Sequence, residues 1–181
     1  MIIDTRRNGP PIAPLKIKGE EVELVTSFKF LGSIITNNLK WEQNTTSIIS
    51  KCHQRLYFLR KLKKFGVCKN TLTHFYRAAI ESILTFSITS WYGALTQQDK
   101  TSLDRIIRTS SKIVGSQLES LDIIYKKRAE KKVRSIASNK DHPANHLFEP
   151  LPSGRRFRNF HVRTKRFGDS FYVKSAKEID P

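Results

Sequence analysis

The chain has 181 residues, of which 38% are hydrophobic and 27% are charged, enough apolar material for one packed domain. Its 33 Lys and Arg residues against 16 Asp and Glu give a net charge of +17. This excess argues against an ordinary near-neutral enzyme and favours a polyanionic partner, RNA or DNA rather than a membrane. Two cysteines, Cys52 and Cys68, exclude a disulfide scaffold and favour a reducing cytosolic or nuclear compartment. The opening MIIDTRRNGPP has charges where a signal peptide needs an apolar stretch, so secretion is not expected.

Residues 1–40 predict a short β element. The Gly and Pro residues at 9–11 break the chain, and the run LKIKGEEVELV places apolar residues on both sides of a Lys18-Gly19 turn. The next run, SFKFLGSIIT, alternates apolar and polar side chains with a period of two. The pattern predicts one hairpin and one further strand.

Residues 41–140 predict an antiparallel helical bundle. From Asn44 the apolar period becomes that of a helix, with Gly66 as its end, and further helices are expected to start near Asn70, Gln98 and Glu119. The expected core stripe of the first helix is Ile48, Ile49, Cys52, Leu56, Leu59 and Leu62. Residues 82–98 carry no charge but are too short and too rich in hydroxyl groups for a membrane span, and they predict a buried helix followed by a turn.

Residues 141–181 predict a Pro/Gly loop and an extended basic-aromatic tail. The fold class is therefore mainly α, with a small N-terminal β element and an antiparallel bundle. The tail phenylalanines Phe157, Phe160 and Phe167 follow helical spacing, so they either dock onto the bundle or stack on unpaired bases.

Motifs for catalysis are missing from the sequence. There is no Asp-Asp pair for two magnesium ions, no glycine-rich nucleotide loop, and no His-x-Asp with a distant His for iron. His142 and His146 have the spacing of one half of a zinc site, but no cysteine pair accompanies them. We expect no metal, no cofactor and no catalysis by this chain on its own.

Basic side chains beside aromatic ones are the candidate binding residues. They are Arg55, Arg60, Lys61 and Lys64 in the first helix, and Arg155, Arg156, Arg158, Arg163, Lys165 and Arg166 in the tail. Such cations neutralise phosphates and release counterions. Arg55 falls inside the apolar stripe, so it extends its head to water, pairs with an acid such as Glu81, or faces a bound phosphate.

Four blocks of the chain, in order, carry a resemblance to a known family. They are SFKFLGSIITNNLKW, HQRLYFLRKLKKFGV, FYRAAIESILTFSITSWYG and HPANHLFEPLPSGRRFR. They resemble the carboxy-terminal part of LINE-type (non-LTR) retrotransposon reverse transcriptases, the thumb and beyond, and MIIDTRRN looks like the last strand of the polymerase palm. The resemblance implies a fragment of an RNA-directed DNA polymerase that contacts template and primer and lacks the catalytic aspartates.

A second resemblance covers about residues 25–65. This stretch looks like the segment named as the amino-terminal domain of the eighth AlkB homologue, a tRNA-modifying dioxygenase and methyltransferase. That name implies iron, 2-oxoglutarate and S-adenosylmethionine, whose binding motifs the sequence does not contain. Three hypotheses follow: a non-catalytic nucleic-acid-binding fragment of a reverse transcriptase, an AlkB-homologue-type accessory domain, and a helical protein-interaction module.

Overall fold

The computed structural model describes residues 1–4 and 13–181, and it confirms a mainly helical fold with a small N-terminal β element. The predicted chain break at residues 9–11 and most of MIIDTRRN lie outside the described residues. The strands are β1 Lys16–Ile17, β2 Glu20–Glu21, β3 Ser27–Phe30 and β4 Ser33–Thr36. The helices are α1 Glu42–Lys64, α2 Lys69–Tyr76, α3 Ser82–Thr85, α4 Ile88–Trp91, α5 Gln97–Val114, α6 Leu121–Ser138, α7 Lys165–Gly168 and α8 Phe171–Glu178.

The strands form two separate antiparallel hairpins, β1 with β2 and β3 with β4. The expectation of a single strand in SFKFLGSIIT is wrong. Leu31 and Gly32 both adopt positive φ angles, 45° and 89°, and make a two-residue turn that pairs Phe30 with Ser33. The sequence shows the alternation, but a leucine at the first turn position hides the turn, because leucine rarely adopts positive φ.

Helix α1 follows its predicted stripe. Ile48, Cys52, Leu56 and Leu59 are buried, and the helix ends just before Gly66, whose φ of 76° lies in the left-handed region that glycine allows. Opposite α1 runs a second helical segment made of α2, a π-helical turn at Arg77–Glu81, and α3. These two segments form the hairpin that carries the site described below.

The uncharged stretch 82–98 is not one helix. Helix α3 ends at Thr85, Ser87 has a left-handed φ of 47°, and α4 then leads into a 3-10 turn at Tyr92–Ala94. The Trp91 indole N–H closes the break by donating to the Phe86 carbonyl at 2.9 Å. Across the described parts of the chain, no helix has the length and apolarity that a membrane crossing requires.

Buried side chains form two clusters. The first cluster joins α1, α2, α3, α4, α5 and the start of α6, with Leu59, Tyr76, Trp91 and Leu103 completely buried. The second cluster joins the end of α6, a 3-10 turn at Asn145–Phe148, the following loop and α8. Its members are Val133, Ile136, Ala144, Phe148, Phe157 and Ala176.

Part of the predicted tail packs against the second cluster. Phe157 is 2% exposed and Phe160 packs against the cluster, as docking requires, whereas Phe167 is 45% exposed. Helix α8, which buries Val173 and Ala176, is absent from the sequence-based expectation. The residues after 141 are therefore less extended than expected, because their apolar side chains pack onto α6.

Candidate nucleic-acid interface

The α1–α2 hairpin exposes many cations and, after Glu42, no carboxylate. Residues 43–80 contain eight Lys and Arg residues and no carboxylate, and all eight cations are exposed. They are Lys51, Arg55, Arg60, Lys61, Lys63, Lys64, Lys69 and Arg77. Four of them are predicted site residues, and in the described part of the chain none of these four lies within salt-bridge distance of an acid.

The structure excludes one of the three possibilities for Arg55, the ion pair with Glu81. No salt bridge joins Arg55 to its proposed partner Glu81 among the described residues, and the cations that act on the pKa of Glu81 are Arg77 and Arg128, which oppose the rise caused by burial. The ion pair between Arg55 and Glu81 is therefore wrong. Arg55 is exposed, and it lines a cavity between α1 and the opposite helical segment.

That cavity, called the groove below, has a volume of about 620 Å³. Arg55, Phe58, Lys61, Leu62 and Phe65 line it from the α1 side. The opposite segment contributes Phe75 of α2, Ala78 and Ala79 of the π-helical turn, and Ser82 and Ile83 of α3. Phe58 and Phe65 are 48% and 79% exposed, and the Phe58 ring also contacts the Tyr57 ring at 5.5 Å between centroids.

A smaller inner cavity of about 330 Å³ continues the groove, since Ser82 and Ile83 line both. Its other walls come from Gly32, Ser33, Asn44, Ile48, Lys51 and Phe86. The β3–β4 turn approaches closely here: a Cβ at Gly32 would lie 3.2 Å from the Phe86 ring. Glycine is needed at this position both for its φ and for this contact.

Asn44 brings an unusual polar group to the inner cavity. The side chain is 3% exposed, and its Oδ1 accepts a hydrogen bond from the Ile34 N–H at 3.0 Å. Its Nδ2 is buried and has no hydrogen-bond partner in the described residues. Buried donors are ordinarily paired, so an amide nitrogen with both of its N–H groups unpaired is unusual at this position.

The predicted tail residues Arg155, Arg156 and Arg158 lie on a hairpin-like loop. Leu151 N–H donates to the Arg156 carbonyl and Arg158 N–H to the Glu149 carbonyl, both at 2.8 Å. Phe157 anchors the loop in the second cluster while all three arginines remain exposed. Arg158 faces Glu149 at 3.8 Å across an exposed surface, where such a pair contributes little.

Lys165 and Arg166 lie elsewhere, on the short helix α7, and Arg163 is exposed just before it. Lys165 and Arg166 line a cavity of about 290 Å³ beside the start of α1, together with Glu42, Asp99 and Asp169. The three carboxylates make this the least anion-selective of the candidate positions. Because a helix rises about 1.5 Å per residue, Glu42 is about 27 Å from Arg60 along α1. The structure thus separates the ten candidates into α1, loop and α7 groups.

Some functional candidates are not evident from the core stripe alone. Lys51, Phe58 and Phe65 line the cavities but lie off that stripe, and the signal that could have found them is a second stripe on α1. Positions 51, 55, 58, 62 and 65 repeat at four and three residues, which places Lys51, Arg55, Phe58, Leu62 and Phe65 on one side of the helix.

Helix α6 adds cations outside the predicted set, and one of them is structural. Lys126, Lys131, Lys132 and Arg134 are exposed. Arg128 instead donates from Nη1 to the Thr85 carbonyl at 2.6 Å and from Nη2 to Thr85 Oγ1 at 3.0 Å. It therefore fastens α6 to the end of α3 and is not a candidate for ligand binding.

No described residues group three or more His, Cys, Asp or Glu side chains in a way that could hold a metal ion. Both cysteines are free thiols: Cys52 is buried, which raises its pKa to about 12, and Cys68 is exposed. Cys68 contacts the Thr71 hydroxyl, and this hydrogen bond lowers its pKa. The chemistry of the site is thus that of cations and aromatic rings.

Comparison with known proteins gives one family match. The family model described as "Alkylated DNA repair protein alkB homolog 8, N-terminal" matches residues 41–82, less than a quarter of the chain. The match supports the resemblance of this stretch to the amino-terminal domain of the eighth AlkB homologue. It covers α1, α2 and the start of α3, which form the two walls of the groove. No curated protein and no solved structure matches the chain. The LINE-type resemblance has no counterpart in these comparisons.

Proposed function

We propose that this chain is a non-catalytic nucleic-acid-binding module. The observation that carries the proposal is the carboxylate-free surface of residues 43–80, where eight exposed cations surround exposed aromatic rings. Surfaces of this kind bind polyanions through counterion release. A merely solvated helix surface usually mixes both signs of charge, as the exposed side of α6 does with Glu130 among its lysines.

The α1 cations are the primary contact in this proposal and the loop arginines Arg155, Arg156 and Arg158 are a second one. Binding at α1 needs no change in the fold, because its apolar stripe packs inward while the cations face outward. Lys165 and Arg166 contribute least, since carboxylates share their cavity. The proposed ligand class is RNA, DNA or both.

The salt dependence of binding tests the proposal. Purified protein is titrated into labelled RNA and DNA at several salt concentrations, alongside variants with Arg60, Lys61 and Lys64, or Arg155, Arg156 and Arg158, replaced by Ala. A control variant replaces Arg105, Arg108 and Lys112, three exposed cations of α5, and so removes the same net charge. For every phosphate that a variant no longer binds, the slope of log affinity against log salt should flatten by about 0.7 on single strands and about 0.9 on duplexes.

The expected result is a flatter slope for the α1 and loop variants than for the α5 control. Equal slopes for all three would mean that binding follows net charge alone and that the assigned surfaces are wrong. A protein that binds no nucleic acid at low salt would overturn the function itself, and would leave the helical protein-interaction module as the better hypothesis.

A second part of the proposal concerns the parent enzyme of this module, for which there are two candidates. The family match at residues 41–82 favours an AlkB-homologue-type accessory domain for a tRNA-modifying enzyme. The four-block resemblance favours a fragment of a retrotransposon reverse transcriptase. The two origins predict different preferred ligands, folded tRNA in the first case and an RNA–DNA primer-template in the second. Competition between these two ligands for the chain, at one salt concentration, distinguishes them.

A further inference from the structure

We infer that the groove and its inner cavity bind a short single-stranded segment of nucleic acid, with bases on the aromatic rings and phosphates on the cations. The inference deepens the function proposed above and rests on it. It goes further because duplexes and single strands both carry phosphates, whereas only unpaired bases offer their faces to aromatic rings.

The order of side chains along α1 supports a single strand. Lys51, Arg55, Phe58, Leu62 and Phe65 share one side of the helix, and Lys61 joins them at the groove. Cations and rings therefore follow each other along the helix axis. A single strand likewise presents phosphates and bases in succession, whereas an acidic amphipathic helix carries its charges on the side opposite its apolar residues.

The dimensions are compatible with a few nucleotides. Positions 51 to 65 span about 21 Å of helix at about 1.5 Å per residue. Stacked nucleotides on one strand are about 3.4 Å apart, so the groove accommodates about six at most and fewer when the strand is extended. Leu62, Ala79 and Ile83 form part of the lining of the groove. Phosphate groups alone would not contact these apolar side chains, whereas bases would.

The inner cavity provides a place for one unstacked base. The Phe86 side chain, which is 49% exposed, and Lys51 both line this cavity, so an aromatic ring and a cation lie at the same place. The unpaired Nδ2 of Asn44 is buried behind the cavity surface, so a base carbonyl would reach it only after the lining side chains shift. Because the Asn44 oxygen is held by the Ile34 N–H, the amide is oriented with the nitrogen as its unpaired end. The cavity volume of about 330 Å³ lies at the lower end of the range for small-ligand pockets.

The test compares an eight-nucleotide oligo-dT and oligo-rU with a blunt duplex of equal phosphate number. Phe58→Leu and Phe65→Leu keep an apolar side chain but remove the ring, and both positions are exposed enough that the fold should tolerate the change. Phe28→Leu is the matched control, since Phe28 is 54% exposed on β3 and does not line the groove. Circular dichroism and thermal melting of each variant verify the fold.

We expect tighter binding of the single strands than of the duplex, and a decrease of about fivefold or more in single-strand affinity for each groove variant, because one stacked base contributes about 1–3 kcal/mol. The duplex affinity and the Phe28→Leu control should change by less than twofold. Ultraviolet crosslinking of iodouridine-substituted oligo-rU, mapped by mass spectrometry, should label Phe58, Phe65 or Phe86.

Three results would overturn the inference. Equal affinity for single strands and duplex, unchanged by the phenylalanine variants but reduced by the α1 cation variant, would leave the proposed function intact and remove the groove from it. Phenylalanine-dependent binding of a Glu/Leu amphipathic peptide, with no such dependence for oligo-dT, would make the groove a protein-docking site. Absence of all nucleic-acid binding would defeat the proposed function as well.

Discussion

The two clusters of the molecule are built in different ways. The first cluster rests on α1 and α5, helices of 23 and 18 residues whose apolar stripes repeat over several turns. The second cluster collects the end of α6, a four-residue 3-10 turn, a loop and the eight-residue α8. Isolated helices shorter than about 12–15 residues are marginal in water, so the parts of the second cluster depend on each other.

This difference assigns distinct physical roles to the two candidate surfaces. The α1 cations lie on a rigid helix whose inner side is buried, so their spacing is set before any ligand arrives. The loop arginines are carried by a segment that Phe157 alone anchors deeply. Preorganised groups lose less conformational entropy on binding, so we expect the α1 surface to dominate affinity.

Replacement of a central side chain of the first cluster should have the largest effect. Leu59 is completely buried on α1, and Leu59→Ala should lower the free energy of unfolding by about 2–5 kcal/mol, since it removes apolar contacts and leaves a cavity. Chemical denaturation followed by circular dichroism measures the change. A decrease below about 0.5 kcal/mol, the size of a surface effect, would contradict the packing of α1.

The second cluster should respond more locally. Phe157→Ala removes a ring that packs edge-on against Phe148 at 5.4 Å between centroids. Because local unfolding can occur without global unfolding, we expect amide exchange in α8 to accelerate by about 100-fold while that of α1 stays unchanged. Hydrogen–deuterium exchange with peptide resolution checks this. Equal acceleration in both helices would show that the clusters unfold as one unit.

Gly93 lies where the 3-10 turn at Tyr92–Ala94 contacts α6 and the segment that joins α7 and α8. A Cβ there would lie 2.9 Å from the Tyr125 hydroxyl and 3.4 Å from the Asp169 carbonyl, and Lys174 Nζ donates to the Gly93 carbonyl at 3.2 Å. Gly93→Ala should therefore cost about 1–3 kcal/mol through overpacking. Tyr125→Phe removes the hydroxyl, so the double variant should recover part of the stability. Purely additive effects in a double-mutant cycle would contradict the steric explanation.

The long elements of the first cluster could be predicted from the sequence because their stripes and caps are local signals. Gly66 and Gly115 end α1 and α5 in the left-handed conformation, as their positions after the apolar stripes indicate. Helix α6 begins after Ser120, whose hydroxyl accepts from the Ile123 N–H. Three of the α1 cations, Arg60, Lys61 and Lys64, are predictable for the same reason, since residues off the core stripe face outward. Arg55 falls inside the predicted stripe, so its exposure could not be predicted in this way.

The remainder depends on contacts between distant residues. Helix α8 has too few turns for a clear period, and it forms where Val173 and Ala176 can pack against the second cluster. The break at Ser87 follows from tertiary packing of Trp91 and not from a Gly or Pro. The groove could not be predicted because its two walls come from different helices, and a one-dimensional pattern contains no direct measure of the space between them.

A smaller and opposite effect is expected at the tip of the β3–β4 hairpin. Leu31 has a φ of 45°, in the left-handed region where a leucine backbone is strained. Its side chain is 77% exposed, so burial of the side chain offsets little of that strain. Such strain costs roughly 1–2 kcal/mol for an ordinary residue. Leu31→Asn should therefore raise the free energy of unfolding of the hairpin by up to about 1 kcal/mol. Faster amide exchange in β3 and β4 of the variant would contradict the assigned turn.

The smallest expected effect is a pH dependence that arises where the α2–α3 segment meets α6. Burial raises the pKa of Glu81 despite Arg77 and Arg128, so the stability it contributes is complete at low pH and declines as pH rises through the folded pKa. Glu81→Gln should remove that decline, and its unfolding free energy relative to the parent should increase from pH 4 to pH 7. The gain should stay under about 1 kcal/mol, because the carboxyl is only half-buried and solvent screens it. Glu130→Gln, on the exposed side of α6, removes the same charge and should give a smaller change over this interval. A larger change for Glu130→Gln than for Glu81→Gln would show that overall charge, and not burial of Glu81, sets the pH dependence of this packed junction.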